Sequence, residues 1–233
     1  MGLKDDLSNE VSETFSHQWR EEEAADIPDP EDLRLNANHA KNLKMATVLY
    51  ADLDGSTNMV DTQNWNLSAE VYKSYLRCAS EIIRNEGGSI TAYDGDRVMA
   101  IFTGKTKNTS AVRCAMKINF AVIKIIQPAL QQQYANVGFT VRHVVGIDTS
   151  QLRAARVGVR GDNDLVWIGR APNYAAKLAS LTGKATWITK SVYDAMLDEV
   201  KTASDGKSMW NAHTWTGMND MAIYSSTYYW HIA

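Results

Sequence analysis

GSITAYDGDRVMAIFTG, residues 88–104, reads as two strand-like halves about Asp94-Gly95, a strong two-residue hairpin signal. Upstream, MATVLYADL (45–53) is too short and too β-branched for a helix and reads as a buried strand. Between them AEVYKSYLRCASEIIRNEGG places Val71 or Tyr72, Tyr75 or Leu76, Ala79, and Ile82 or Ile83 at helical spacing and ends in glycines. Downstream, SAVRCAMKINFAVIKIIQPALQQQYA predicts a second long helix, which Pro128 kinks or divides. VGFTVRHVVGIDTS and LRAARVGVR read as two strands. The order is β-α-β-β-α-β, the ferredoxin-like split unit of an α+β fold. A helix from about Pro172, a strand at ATWIT and a terminal pair around NAHTW and AIYSSTYYWHI are appended.

At 233 residues and 45% hydrophobic, the chain is long enough for a core without disulfides or structural zinc. Residues 1–44 are charged, carry Pro28 and Pro30 and offer at most a short helix, so they are expected to be an extension preceding one domain of residues 45–233. A net charge of −3 without a basic block argues against a nucleic-acid partner. No apolar run reaches the length of a membrane span, and the N-terminus lacks a signal-peptide pattern. Cys78 and Cys114 fall in helix-like patterns and read as core residues. These features predict a cytoplasmic protein without a membrane partner.

Two carboxylates stand out. Asp52 ends the first strand, and Asp96 follows the hairpin glycine on what should be a neighbouring strand. An aspartate at a strand end is usually a turn or cap residue, yet two converging on one edge repel each other unless a cation is present. Hard oxygen ligands suit magnesium or manganese, and no cysteine or histidine cluster competes. After Asp52, Gly55, Ser56 and Thr57 open a helix whose free N–H groups form a phosphate cradle, a reading compatible with simple capping. In GRAPNYAAKLASL, Asn173 and Lys177 lie four apart on one helix face; a solvated surface pair and a clamp for phosphoryl charge both fit that spacing.

Taken together, VLYADLDGST, GGSITAYDGDRVMAIF and VWIGRAPNYAAKLASL resemble, in order and spacing, the class III nucleotidyl cyclase catalytic domain. The resemblance implies two divalent cations, Mn or Mg, on Asp52 and Asp96, and a transition-state asparagine at Asn173. It also implies a head-to-tail homodimer whose composite sites take the aspartates from one subunit and Asn173 with Lys177 from the other. Where the family carries its adenine-reading lysine and aspartate or threonine, this chain has Ala92 and Val166, so that route to purine selection is lost. Tyr50 shares the strand face of Asp52 and narrows the base pocket. Arg97 offers a donor to a base carbonyl or phosphate, although strict alternation from Asp96 sends it to the other face, and an ion pair is the equal alternative.

The combination resembles the stand-alone pyrimidine cyclases of bacterial antiphage signalling. It implies conversion of UTP, rather than CTP, to a cyclic mononucleotide read by a separate effector; an adenylate or guanylate cyclase and an inactive nucleotide sensor are the alternatives. Lys177 stands where the family has arginine and lacks its planar fork. Arg153, Arg156, Arg160 and Lys184 are candidates to share the phosphate work. Trp167, Trp187, Trp215 and Trp230 read as core or dimer contacts in strand-like stretches. His143 and His213 are isolated and carry no assigned role.

Overall fold

A computed structural model describes residues 2–35, 37–135 and 137–232. In chain order its main elements are α1 (Leu3–Ser16), β1 (Arg20–Glu23), β2 (His39–Asp54), α2 (Ser56–Thr62) and α3 (Trp65–Asn85). The hairpin β3 (Ser89–Asp94) and β4 (Arg97–Phe102) follows, then α4 (Lys107–Ala121), α5 (Gln127–Gln133), β5 (Arg142–Val159), β6 (Asp162–Gly169) and α6 (Arg170–Ala179). The chain ends with β7 (Thr186–Thr189), α7 (Lys190–Ala195), β8 (Asn211–Trp215) and β9 (Met221–Ser226).

Two compact units divide the chain: residues 1–45 with 151–169, and residues 46–150 with 170–233. In the first, β1 runs parallel to the start of β2, and the outer half of β5 forms an antiparallel hairpin with β6. Arg153 is ion-paired to Glu21, and Arg156 donates to Asn163 Oδ1 and the Leu33 carbonyl at 2.7 and 3.2 Å. Both cations are therefore engaged in structural contacts.

The second unit holds the split β-α-β-β-α-β core. Along the sheet the strands run β3-β4-β2-β5-β7-β9-β8, with the first four in the ferredoxin-like order. Leu49, Ala51 and Leu53 of β2 and Val98, Ala100 and Phe102 of β4 point to one face, where the predicted stripe of α3 (Val71, Tyr75, Ala79, Ile82) and the apolar face of α4 cover them. Gly146 of β5 lies under α6: a Cβ there would meet the Ala175 carbonyl oxygen at 2.1 Å and the Ala179 nitrogen at 2.5 Å, so only glycine lets this helix approach the sheet.

Several expectations are corrected. The hairpin loop is Gly95-Asp96, with Asp94 paired to Arg97; Gly95 has φ +61, the pattern of a II′ turn with glycine first. The two predicted strands from residue 137 to 160 become one strand, β5, beginning at Arg142. β6 is missing from the expected strand order, although Trp167 stands in a strand-like stretch, because Asp162 and Asp164 break its apolar run while occupying its exposed face. The 14-residue α1 and β1 exceed the short helix expected of the extension. The second long helix divides next to Pro128: a π turn over Val122–Ile126 separates α4 from α5, and Pro128 sits in the first turn of α5. Trp230 lies beyond β9 in an irregular tail, half-buried against the core, and donates its backbone N–H to the Met116 carbonyl.

His143 carries a stability consequence. It is buried beside Tyr75, ring centroids 6.1 Å apart, and its Nε2 has no hydrogen-bond partner. Burial pulls its pKa from 6.5 to about 4. Above pH 6.5 the ring is neutral folded or unfolded; between about 6.5 and 4 the unfolded chain takes up a proton that the folded one refuses, so stability falls with falling pH. Urea unfolding at pH 7 and pH 4.5 should show a loss of roughly 2 kcal/mol from this group, and His143→Leu should flatten that part of the slope.

Candidate active site

The register of β2 on β4, Tyr50 opposite Met99 and Ala51 opposite Val98, brings Asp52 opposite Arg97. Tyr50 and Asp52 therefore occupy the face turned away from α3 and α4. Arg97 Nη2 donates to Asp52 Oδ2 at 2.8 Å, and its guanidinium carbon stands 5.9 Å from the Tyr50 ring centroid. Arg97 thus shares the face of Asp52, against the alternation argument. That argument counted from Asp96, which lies in the turn, where side chains do not alternate.

Asp52 is largely buried. Burial raises its pKa, a nearby Asp96 charge adds to the rise, and the hydrogen bond and charge of Arg97 oppose it without cancelling it. Asp96 Oδ2 is buried without a hydrogen-bond partner. Tyr75 supports the strand end from below, its hydroxyl donating to the Asp52 carbonyl at 3.3 Å. Burial and then the charges of Asp52 and Asp96 hold its phenol well above the usual range.

This donor set fits a divalent cation. A buried, unpaired carboxylate oxygen beside a second carboxylate is costly unless positive charge completes it. Among the described residues no group of three or more His, Cys, Asp or Glu side chains forms a metal cage. Two carboxylates with the remaining positions left to water and phosphate are the usual arrangement for magnesium.

Beyond Asp54 the chain turns at Gly55, whose φ of +79 is left-handed, and enters α2. The first N–H groups of that helix have no intrahelical acceptor. Arg142, at the start of β5, is ion-paired to Asp54 at 3.3 Å and flanks the turn. Gly55 and Thr57 are exposed and Ser56 half-exposed.

Asn173 and Lys177 are exposed on one face of α6, and Lys177 Nζ lies 3.6 Å from Met218 Sδ. α6 packs over β5 and β7, and no hydrogen bond or ion pair joins either side chain to the aspartates. Within one chain Tyr50, Asp52 and Arg97 are joined by a hydrogen bond and a ring contact, and neither Asn173 nor Lys177 is bonded to that group.

Two residues went unnoticed in the sequence. Asp148 of β5, fully buried, accepts from Arg170 Nε and Nη2 at 2.9 and 3.1 Å and from the Thr189 hydroxyl. Arg170 Nη2 also reaches the Thr149 carbonyl at 2.9 Å. This satisfied pair clamps the first residue of α6 and so sets where Asn173 is carried. The signal was available, since GIDTS embeds a carboxylate in an apolar strand as YADLD does.

The base-pocket candidates separate. Ala92 and Tyr50 both pair with Met99, forming a row Ala92-Met99-Tyr50 on one face, with Met99 the member that sequence reasoning missed. Val166 lies on β6 in the other compact unit, partly exposed and paired to Ala155.

A ferredoxin-like core with a strand-end aspartate, a hairpin aspartate and an adjoining glycine turn is the arrangement expected of a nucleotidyl cyclase catalytic domain. Residues 38–223 match the adenylate and guanylate cyclase catalytic domain, and the chain belongs to that family. It is 62% identical over 232 residues, 99% of each chain, to a uridylate cyclase of Burkholderia cepacia, and 52% identical over the whole of both chains to one of Xanthomonas perforans. Among solved structures, the adenylyl cyclase CyaB from P. aeruginosa superposes with a TM-score of 0.63 at 22% identity, covering 80% of this chain and 95% of that one. The guanylate cyclase domain of RhGC from Catenaria anguillulae, in complex with GTP, gives 0.66 at 15% identity, covering 82% and 100%. The protein is a nucleotidyl cyclase of a family that is metal-dependent in general. Among the described residues no helix is long and apolar enough to cross a membrane.

Proposed function

We propose that the chain is a uridylate cyclase, converting UTP to 3′,5′-cyclic UMP and pyrophosphate, as a cytoplasmic homodimer whose product serves a separate effector in antiphage defence. The observation that carries this reading is the row Ala92-Met99-Tyr50 beside the Asp52–Asp96 pair, a base pocket without the purine-reading groups next to a cation-ready edge. The names of the relatives from Burkholderia cepacia and Xanthomonas perforans support the choice of substrate.

Asp52 and Asp96 would hold two divalent cations, Mg or Mn, which when bound lower the pKa of the ribose 3′-hydroxyl and neutralise phosphate charge. The 3′ oxygen forms a bond to the α-phosphorus, the bond to the β-phosphate bridge breaks, pyrophosphate departs and the hydroxyl proton passes to solvent. The chain's own groups position that exchange. Gly55, Ser56 and Thr57 present backbone N–H groups to the phosphate oxygens. Arg97 balances Asp52 and stands beside the Tyr50 ring, where its remaining N–H donors suit the O4 carbonyl of uracil better than the cytosine amine. Tyr50 limits the width of the base. Asn173 and Lys177, supplied by a second copy, meet charge building on the transferring phosphoryl group.

Incubation with each of the four ribonucleoside triphosphates and manganese tests the reading. Cyclic UMP should exceed either cyclic purine product by at least about a hundredfold, the discrimination expected where base-edge hydrogen bonds are matched or left unpaired. Cyclic AMP or cyclic GMP as the main product refutes the substrate assignment.

A further inference from the structure

The N-terminal helix α1 has no work within its own chain. None of its residues is buried. Leu3, Leu7, Val11 and Phe15 recur every four positions, 75, 51, 55 and 87% exposed, and Trp19 beyond the helix end is 54% exposed. Four-residue spacing places them in one stripe, while Asp5, Asp6 and Glu13 lie on the opposite side and Glu10 flanks the stripe. The helix is nevertheless aimed: Asn38 Nδ2 donates to the carbonyls of Thr14 and His17, both at 2.7 Å, tying its last turn to the start of β2. A 14-residue helix of ordinary composition is marginal in water by itself, so a stable α1 needs a surface for its apolar stripe.

Charge points to the occupant. Residues 1–35 contain three Lys and Arg against eleven Asp and Glu, a net −8. The remainder holds the other 21 basic and 16 acidic residues, a net +5. The acidic arm of one copy is thus complementary to the body of another, and the same polarity disfavours an anionic membrane. The five apolar side chains expose roughly 500 Å² together, and a two-fold pair counts both arms with both receiving surfaces, which reaches the roughly 1,600 Å² of a stable interface.

We propose that α1 is a clasp, its Leu3-Leu7-Val11-Phe15 stripe docking on the body of a second copy of this chain and holding the homodimer together. The inference rests on the composite-site reading above, since a site lacking Asn173 and Lys177 in cis requires that second copy.

Sedimentation velocity and turnover per protomer, both followed over a dilution series, test it in the full chain. The L7D/F15D double variant should raise the dimer dissociation constant by about a hundredfold, and L7A/F15A by about tenfold. Both should regain wild-type turnover once concentrated into dimers, because α1 touches no site residue. Raising salt should weaken the wild-type dimer several-fold. At dilutions where wild type and variants are all monomeric they should share one melting temperature, since no α1 side chain is buried within its own chain, whereas at dimer-forming concentrations the variants should melt lower. A wild-type dimer whose dissociation constant the substitutions leave within twofold overturns the clasp alone. A wild-type protein that is monomeric and fully active at every dilution overturns the composite-site reading, and the clasp with it.

Discussion

Asp96→Asn should abolish cyclisation, with turnover falling by at least about a thousandfold at saturating manganese. The substitution keeps the shape of the side chain and removes one negative charge from a turn residue whose Oδ2 is buried without a partner. Folding should therefore be unharmed or slightly favoured, because an unpaired buried carboxylate is a cost to the native state. Circular dichroism melting alongside a pyrophosphate-release assay separates the two quantities. Asp52→Asn should silence the enzyme equally but is the less clean probe, since it also strands the Arg97 guanidinium. If either variant turns over within tenfold of wild type, the carboxylates are not the cation site.

Mixing two dead proteins should restore activity. Asp96→Asn spoils the cation half of a composite site and Asn173→Ala the phosphoryl half. In a heterodimer of the two, one site carries both lesions and the other carries neither. Random re-association makes half of the dimers mixed, each with one intact site of two, so the mixture should recover about a quarter of wild-type turnover. Within one chain Asn173 lies on α6 over β5 and β7, with no bond to the aspartates. If catalysis used Asn173 in cis, the mixture would stay dead. Recovery near a quarter, with neither parent active above the background, would establish that the two halves come from different copies.

Much of the architecture was legible in the primary structure because it rests on local pattern. The 71-75-79-82 spacing of α3, the apolar alternation of β2 and the glycine of the β3–β4 loop each declare one element, and their order allows few topologies. Elements whose stability comes from neighbours were harder to see. β6 carries aspartates at alternate outward positions and is held as a strand by its pairing with β5, so its residues alone look like a loop. The long helix was expected to change at Pro128, and the change falls just before it, in a π turn that contains Lys124, whose carbonyl the proline cannot bond.

For the site, residue type and position along the chain were enough to mark Asp52 and Asp96, since a carboxylate ending a buried strand is conspicuous wherever it occurs. Which groups meet those carboxylates was a matter of register. Arg97 reaches Asp52 because antiparallel pairing sets them opposite each other, Met99 joins Ala92 to Tyr50 for the same reason, and Arg170 finds Asp148 across 22 positions. Composition and periodicity thus settled the elements and the acidic pair, which depend on neighbours along the chain. Only tertiary structure decided the counter-ion, the base-facing row and the clamp on α6, because strand pairing joins residues that no sequence interval relates.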